Sequence, residues 1–483
     1  MYLERLYEPS LSQASFLIGC QATGEALVVD PTRDVARYVA AAAAQHLRIT
    51  HVTETHIHAD FVSGARELAA RTGARLLLSD EGGDDWSYRF AAEAGAMLLR
   101  DGDTFDVGRV RVAAMHTPGH TPEHLCFVVT DTPRGDQPVG VVTGDFVFVG
   151  DVGRPDLLER AAGQAGTMEA GARTLFASVR RLARLPDHLQ LWPGHGAGSA
   201  CGKALGAMPQ TTLGYERLFN WALATTDEAA FVRQVLDGQP DVPPYFAVMK
   251  RVNRDGPAIF GDRAPVPGLP ADALSRALAD GLVVDARPAD HFAAGHVPGS
   301  INVPMGDAFG PRVAALLPYD RPTFVMVDGG GDDAVRRAVR QLALVGVDRV
   351  EGWFDAASAL QAWSRDHGAL RTTPQTTPEA LADRMAQGDV MVVDVRGHGE
   401  WDAGHLPGVV NVPLPSIAQQ VDRIRELAGG RTVVLHCQGG ARSAIAASVL
   451  EAAGIDDVVN LTGGFGAWAK AGLPVERTVG GAG

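Results

Sequence analysis

Short apolar runs alternate with stretches of helical period along roughly the first 230 residues. Ala26–Asp30 (ALVVD), Ile49–Thr53 and Leu76–Leu78 read as buried strands, while Val35–Ala44 and Gly64–Thr72 place apolar residues three and four apart. Strand after helix after strand predicts a layered α/β structure. Between about 210 and 250 the pattern becomes mainly helical, and it then breaks at Asp255–Pro270 (DGPAIFGDRAPVPGLP), where Gly and Pro crowd together as in a linker.

Beyond the linker the chain repeats itself. Leu282–Pro304 reads LVVDARPADHFAAGHVPGSINVP, and Met391–Pro413 reads MVVDVRGHGEWDAGHLPGVVNVP. Each copy continues into a helical segment, an apolar run (Thr323–Val327; Thr432–His436), a Gly-rich loop, a helix and an aromatic patch (Trp353 and Phe354; Phe465 and Trp468). The repeat predicts two copies of one α/β module of roughly 100 residues. The expected boundaries are 1–255, 265–370 and 372–483, in keeping with a length of 483 residues at about 150 per domain.

Composition narrows the partners. With 46% hydrophobic and 21% charged residues the chain has the balance of a soluble protein, and a formal charge of −14 argues against nucleic acid or an anionic membrane. The N-terminal MYLERLYEPS lacks the features of a signal peptide, and no run of 18 apolar residues occurs, so the expected location is cytoplasmic. Four cysteines (Cys20, Cys126, Cys201, Cys437) show no Cys-x-x-Cys spacing, which excludes a disulfide framework or a zinc ribbon.

Of the four, only Cys437 follows a β-run directly into a glycine-rich loop closed by an arginine: Val433–Ser443 reads VVLHCQGGARS. Amides of Gln438, Gly439, Gly440 and Ala441, with the N-terminus of the following helix, would stabilise an anion at the sulfur and lower its pKa. Arg442 would bind an anionic substrate or brace the loop. Such a thiolate can accept a sulfane sulfur, carry it as a persulfide and release it. Together with the Met391–Pro413 segment, this loop resembles the rhodanese, or sulfurtransferase, family over about residues 372–475. The first copy departs from the pattern, because its loop reads VDGGGDDAV and no cysteine lies within 202–436. It is expected to be a structural or docking rhodanese-like domain and a place for a subunit contact in a homo-oligomer.

A second chemistry lies in the N-terminal part. Thr55–Phe61 (THIHADF), His116–Thr121 (HTPGHT), Thr143–Asp145 (TGD) and Trp192–Gly196 (WPGHG) each follow an apolar run and offer metal-ligand side chains at a loop mouth. By contrast His291, His296, His398 and His405 merely belong to the repeat and are assigned to surface or core duty. The four clusters, in this order, closely resemble the metallo-β-lactamase fold superfamily over about residues 1–230. The resemblance implies an αββα sandwich, followed here by two rhodanese-like α/β domains.

Two-metal hydrolases of that superfamily carry HxHxDH in the first cluster. Phe61 stands at the last position, so an imidazole of the second metal is missing and one metal is the natural inference. The branch this resembles is the persulfide dioxygenases, which implies one mononuclear, non-haem Fe(II) held by His56, His120 and Asp145. Two imidazoles and a carboxylate leave open positions for a persulfide sulfur and O2. His58, Asp60 and His195 would then orient ligands or waters from behind, with His58 also a candidate ligand. Cys201, shortly after His195, is expected either to fill space or to bind and relay a persulfide, and Arg154 and Lys203 to meet an anionic group of the thiol carrier. Cys20 and Cys126 are assigned to packing.

Taken together the chain resembles a persulfide dioxygenase–rhodanese fusion with a degenerate middle module. That resemblance implies oxidation of a small thiol persulfide by O2 to sulfite and thiol, coupled to sulfur transfer among persulfide, sulfite and thiosulfate in sulfide detoxification. The alternative is a zinc-dependent thioester hydrolase of the glyoxalase II kind fused to a thiosulfate sulfurtransferase.

Overall fold

The computed structural model describes residues 1–160, 166–261, 264–329 and 331–478. Gly330 of the degenerate loop and part of the linker lie outside them. The chain forms two compact units, Met1–Arg263 and Ala264–Gly483.

The first unit holds two six-stranded sheets. One runs in chain order: β1 (Tyr2–Glu8), β2 (Gln13–Cys20), β3 (Glu25–Val29), β4 (Arg48–Thr53), β5 (Arg75–Ser79) and β6 (Met97–Leu99). The other comprises β7 (Thr104–Val107), β8 (Val110–His116), β9 (Leu125–Asp131), β10 (Gly140–Gly144), β11 (Gln190–Pro193) and β12 (Thr211–Thr212), again side by side in that sequence. Period-two alternation explains the layering: Ala14, Phe16 and Ile18 of β2 and Leu125, Phe127 and Val129 of β9 share one core cluster with Trp192, whereas Leu17 joins the cluster of Tyr38 and Leu68 on the outer face of the first sheet. Cys126 and Val141 of the second sheet turn the other way, onto helix Met168–Leu182. The result is the expected αββα sandwich. Helices Leu213–Phe219, Trp221–Ala224, Glu228–Leu236 and Phe246–Asp255 follow, as the periodicity predicts.

This unit extends past the expected boundary at 255. Arg33 and Arg66 donate to the carbonyls of Ala258 and Pro257, and Arg33 stacks over Phe260, so the start of the Gly/Pro-rich segment packs on the sandwich.

Among the described residues of the second unit the strands pair in parallel, with isolated antiparallel bridges only at His296–Arg371 and His405–Glu476. The sheet order is β14-β13-β15-β16 for β13 (Leu282–Asp285), β14 (Ile301–Asn302), β15 (Thr323–Val327) and β16 (Val350–Asp355). The other copy has order β17-β21-β20-β18-β19, from β17 (Gln375–Thr376), β18 (Val390–Asp394), β19 (Val410–Asn411), β20 (Thr432–His436) and β21 (Val458–Leu461). The repeated letters have a structural cause. Asp285 and Asp394 each grip the arginine two residues on, with closest contacts of 2.6 Å to Arg287 and Arg396. Asn302 and Asn411 donate to both carbonyls of the same turn, and His296 and His405 stack on Phe292 and Trp401 with centroids 3.8 Å apart. Core duty therefore accounts for His296 and His405.

Both modules share one unit because the helix Ala441–Ala452 packs on β14. Ser448 accepts from the amide of Asn302, and Glu451 receives Thr373 at 3.0 Å with His296 Nε2 3.4 Å away. Among the described residues no helix is long and apolar enough to cross a membrane.

Candidate metal centre and thiolate loop

Four strand ends deliver the metal-type side chains. β4 ends at Thr53 just before His56, β8 runs into the turn that carries His120, and the parallel neighbours β10 and β11 are followed by Asp145 and His195. Gly144 permits the close approach: at φ +50° it packs so tightly that a Cβ would lie 2.5 Å from Thr55 Oγ1. His56 Nε2 and His120 Nε2 stand 3.9 and 3.6 Å from Asp145 Oδ2, and all three residues are buried. Their donor atoms lie within 4.8 Å of one another.

Each imidazole is held by its other nitrogen. Thr55 Oγ1 sits 2.9 Å from His56 Nδ1, the carbonyl of Arg154 accepts from His120 Nδ1 at 2.9 Å, and that of Ser12 accepts from His195 Nδ1 at 3.0 Å. The second and third contacts place a proton on Nδ1, which for His120 leaves Nε2 free to ligate. Burial, reinforced for His56 by the charge of His58, holds His56 and His120 below the usual imidazole range and so in the neutral, ligating form. Burial works against ionisation of Asp145, but His195, His56 and His120 outweigh it and keep this carboxylate well below its ordinary range.

His58 is diverted. Its Nε2 lies 3.1 Å from Asp30 Oδ1, and although burial opposes the charge, Asp30, Glu54 and Asp60 push its pKa up to about 9. Asp30 also accepts the amide and hydroxyl of Thr55 at 2.6 and 2.9 Å, and it adopts φ +51°, a left-handed conformation uncommon for aspartate. Phe61, fully buried, packs on the His58 ring with centroids 4.4 Å apart.

Beside the first group lies a second: Asp60, His195 and Cys201, all buried and with donor atoms again within 4.8 Å of one another. His195 Nε2 is 3.3 Å from both Asp60 and Asp145. Burial pushes the Cys201 thiol up to about 12. The structure thus brings Cys201 to the pocket.

Arg154 and Lys203 are corrected. Arg154 is wholly buried, clamped by Asp156 through two contacts of 2.7 Å, and it donates to the Ala200 carbonyl, which fixes the segment carrying Cys201. Lys203 donates to the carbonyls of Gln234 and Asp237 at the C-terminal end of helix Glu228–Leu236, where a cation complements exposed carbonyls. Both side chains are engaged within the first unit.

Several pocket residues escape a motif reading. His124 stacks 5.2 Å from His56, and burial drives its pKa down to about 3. Its only signal is the second histidine of HTPEH. Glu123 accepts the amide of Ile57 at 2.6 Å.

The donor chemistry fits a metal. Both carboxylate oxygens of Asp145 and of Asp60, and Nε2 of His195 and His124, are buried without a hydrogen-bond partner. Orphaned buried charges of this kind are costly unless an ion or water meets them.

In the second unit Cys437 is 1% exposed at the end of β20. The amide of Gly440 donates to its sulfur at 3.1 Å, and the Ser443 hydroxyl lies 3.6 Å away. Burial raises the thiol, but the Ser443 hydroxyl and the amides of Ser443, Gly439 and Gly440 outweigh it, so the pKa falls below the ordinary value. Gly464 (φ +56°) lets the next turn press on the loop, since a Cβ there would lie 2.2 Å from the Cys437 carbonyl oxygen. Arg442 pairs with Glu400 through two bonds of 2.6 and 2.7 Å, which favours the bracing role. Gln438 Oε1 accepts from Arg396, and its carbonyl from Gly466. In the first copy Asp328 takes the thiol's place and faces the exposed His291 at 3.5 Å.

The comparisons agree with this architecture. The metallo-beta-lactamase superfamily profile matches residues 10–195, and that of the rhodanese-like domain matches 270–360 and 377–471. A metallo-beta-lactamase structure from Staphylococcus aureus is 39% identical, covers 73% of this chain and 99% of its own, and superposes with a TM-score of 0.67. Hydroxyacylglutathione hydrolase of Polaromonas sp. is 32% identical over 199 residues (40% of this chain, 66% of that one). Mitochondrial persulfide dioxygenase of Bos taurus is 27% identical over 196 residues (40% and 67%). The chain spans about two thirds of the length of these two curated relatives and 61% of another. The chain belongs to the metallo-beta-lactamase superfamily and joins that domain to two rhodanese-like domains.

Proposed function

We propose that the first unit is an iron-dependent persulfide dioxygenase and that Cys437 carries a linked sulfurtransferase. The observation that carries the first part is the three-residue donor set: His56, His120 and Asp145 converge, while His58 is bound to Asp30 and the buried Phe61 packs on the His58 ring. Ferrous iron bound there would supply adjacent open positions for a persulfide sulfur and O2. The protein's part is to present two neutral imidazoles and one ionised carboxylate in a buried pocket that limits water. His195 and Asp60 face the same space and can move the protons that the reaction releases. Overall, one persulfide, O2 and one water give sulfite, the free thiol and two protons.

At the second site the Cys437 thiolate attacks the outer sulfur of thiosulfate. The S–S bond to the sulfonate breaks, sulfite leaves with its electron pair, and Cys437 becomes a persulfide. Reversal hands sulfane sulfur to sulfite. Because the product of one site is the acceptor at the other, tethering raises its effective concentration, and the pair is suited to clearing sulfide.

The zinc thioester hydrolase is the competing reading, favoured by His195, whose Nε2 lies 3.3 Å from both Asp60 and Asp145, and by the hydrolase relative. Metal analysis of anaerobically purified protein, with an oxygen electrode and a panel of thiol persulfides, separates them. Near-stoichiometric iron and persulfide-dependent O2 uptake are expected. Stoichiometric zinc with thioester hydrolysis and no O2 uptake overturns the dioxygenase reading.

A further inference from the structure

Side chains of β1 alternate between two environments. Tyr2 and Leu6 pack with the cluster on the outer face of the first sheet, whereas Met1, Leu3 and Tyr7 pack against the core between the two sheets. Arg5 shares the face of Tyr7, and its guanidinium stands over that ring, 4.3 Å from the centroid. The two carboxylates of the strand alternate onto the opposite face and are engaged there, Glu4 with the Tyr2 hydroxyl and Glu8 with Ser10 and Arg37.

The guanidinium is thereby left without an anion. It is half-buried, its Nε is shut away from solvent, and among the described residues Arg5 makes no hydrogen bond or ion pair. Stacking on Tyr7 recovers only part of the lost hydration. A planar fork in this state is suited to a carboxylate or a phosphate.

Its position gives the fork a use. Gln13 and His195 form a β-bridge, and the Ser12 carbonyl accepts from both His195 Nδ1 and the Gly196 amide, so the β1–β2 hairpin is fastened to the segment that carries His195. A Cβ on Gly196 would lie 3.5 Å from the Tyr7 hydroxyl and 3.9 Å from a terminal nitrogen of Arg5. Arg5 and Tyr7 therefore border the backbone one residue past His195, whose Nε2 is 3.3 Å from Asp145.

We propose that Arg5, with the Tyr7 hydroxyl beside it, seats the anionic group, carboxylate or phosphate, of the substrate's thiol carrier at the edge of the metal pocket. The assignment to a thiol carrier rests on the persulfide reading above. It transfers the role expected of Arg154 and Lys203 to a cation that the first unit leaves uncompensated.

The test uses the full chain and three free thiols as probes: glutathione, which bears carboxylates, coenzyme A, which bears phosphates, and 2-mercaptoethanol, which is uncharged at neutral pH. In calorimetric titrations the wild type should bind at least one of the anionic pair more tightly than 2-mercaptoethanol. Arg5→Gln should weaken that probe about tenfold, the scale of one charge-assisted hydrogen bond, and leave 2-mercaptoethanol and the metal content unchanged. Arg5→Lys should keep most of the affinity. Which anionic thiol responds tells carboxylate from phosphate. Unchanged binding, or equal weakening of the uncharged thiol, overturns the seat, and so does a wild type that binds neither anionic thiol more tightly than 2-mercaptoethanol. If Arg5 governs anionic-thiol binding but no persulfide supports O2 uptake, the dioxygenase reading falls and the seat stands.

Discussion

His58 Nε2 lies 3.1 Å from Asp30 Oδ1, which ties the second histidine of THIHADF to the end of β3 and leaves the first, His56, to face Asp145 together with His120. Asp30 reaches the first histidine as well, through Thr55: its carboxylate accepts from Thr55 Oγ1 at 2.9 Å, and Thr55 Oγ1 is 2.9 Å from His56 Nδ1. One carboxylate thus decides the posture of both imidazoles. Asp30→Asn keeps the shape but removes the charge that holds His58 protonated. Metal affinity, read by competition with a chelator, should fall by about 10- to 100-fold, the usual cost of losing a partner behind the ligands. Unchanged affinity would mean that Asp30 serves the fold alone.

Separate chemistry in separate units predicts separable losses. His120→Ala removes one of three converging donors and should abolish O2 uptake with persulfide, while sulfur transfer from thiosulfate stays at the wild-type rate. Residual O2 uptake above about 1% of wild type would exclude His120 as a ligand.

Cys437→Ser should do the converse, with sulfite accumulating where the wild type makes thiosulfate. A finer variant probes the thiolate itself. Ser443 is the leading group holding the thiol below its ordinary range against the effect of burial. Ser443→Ala should therefore move the pH midpoint of iodoacetamide inactivation upward and slow sulfur transfer near neutral pH by about tenfold, the worth of one hydrogen bond to a charged group. If the midpoint stays in place, the loop amides alone hold the anion.

Much of this was legible in the sequence because strand and helix periods are local. ALVVD and Ile49–Thr53 appear as β3 and β4, and the tandem repeat announced two modules whose shared letters prove to be the Asp–Arg clamp and the Phe/Trp–His stack. The metal cluster was legible because four ligand-rich turns each follow a strand. What escaped depends on distance along the chain. Asp30 meets His58 across 28 positions, and nothing in its neighbourhood marks it as a partner. Arg154 sits in a Gly-flanked turn that reads as surface, yet its fork is consumed by Asp156 inside the fold. The end of the first unit was missed because Gly and Pro mark irregular backbone, and irregular backbone can still pack on a core, as Pro257 and Ala258 do.

The contact between the two rhodanese-like modules should be sensitive to pH. Glu451 is buried there among Thr373, Arg371, His296 and the nearby Asp456. Burial raises its pKa to about 7, with Thr373 and Arg371 only partly offsetting it. Above the ordinary carboxylate value the unfolded chain has lost this proton while the folded protein still holds it, so stability falls as pH rises toward and through about 7. His296 acts in the opposite sense, since burial lowers it to about 4, and that contribution is half complete at the ordinary imidazole value of 6.5 and levels off about one pH unit above it. From about pH 6.5 to 8 the Glu451 effect is isolated by comparison with a variant that keeps His296. Glu451→Gln keeps the size and removes the titration. Urea midpoints of the full chain, measured for both proteins across that range, should show the wild type losing ground to the variant as pH rises. A constant difference between the two would mean that Glu451 is already ionised at pH 6.5, with Arg371 compensating its charge in the folded state.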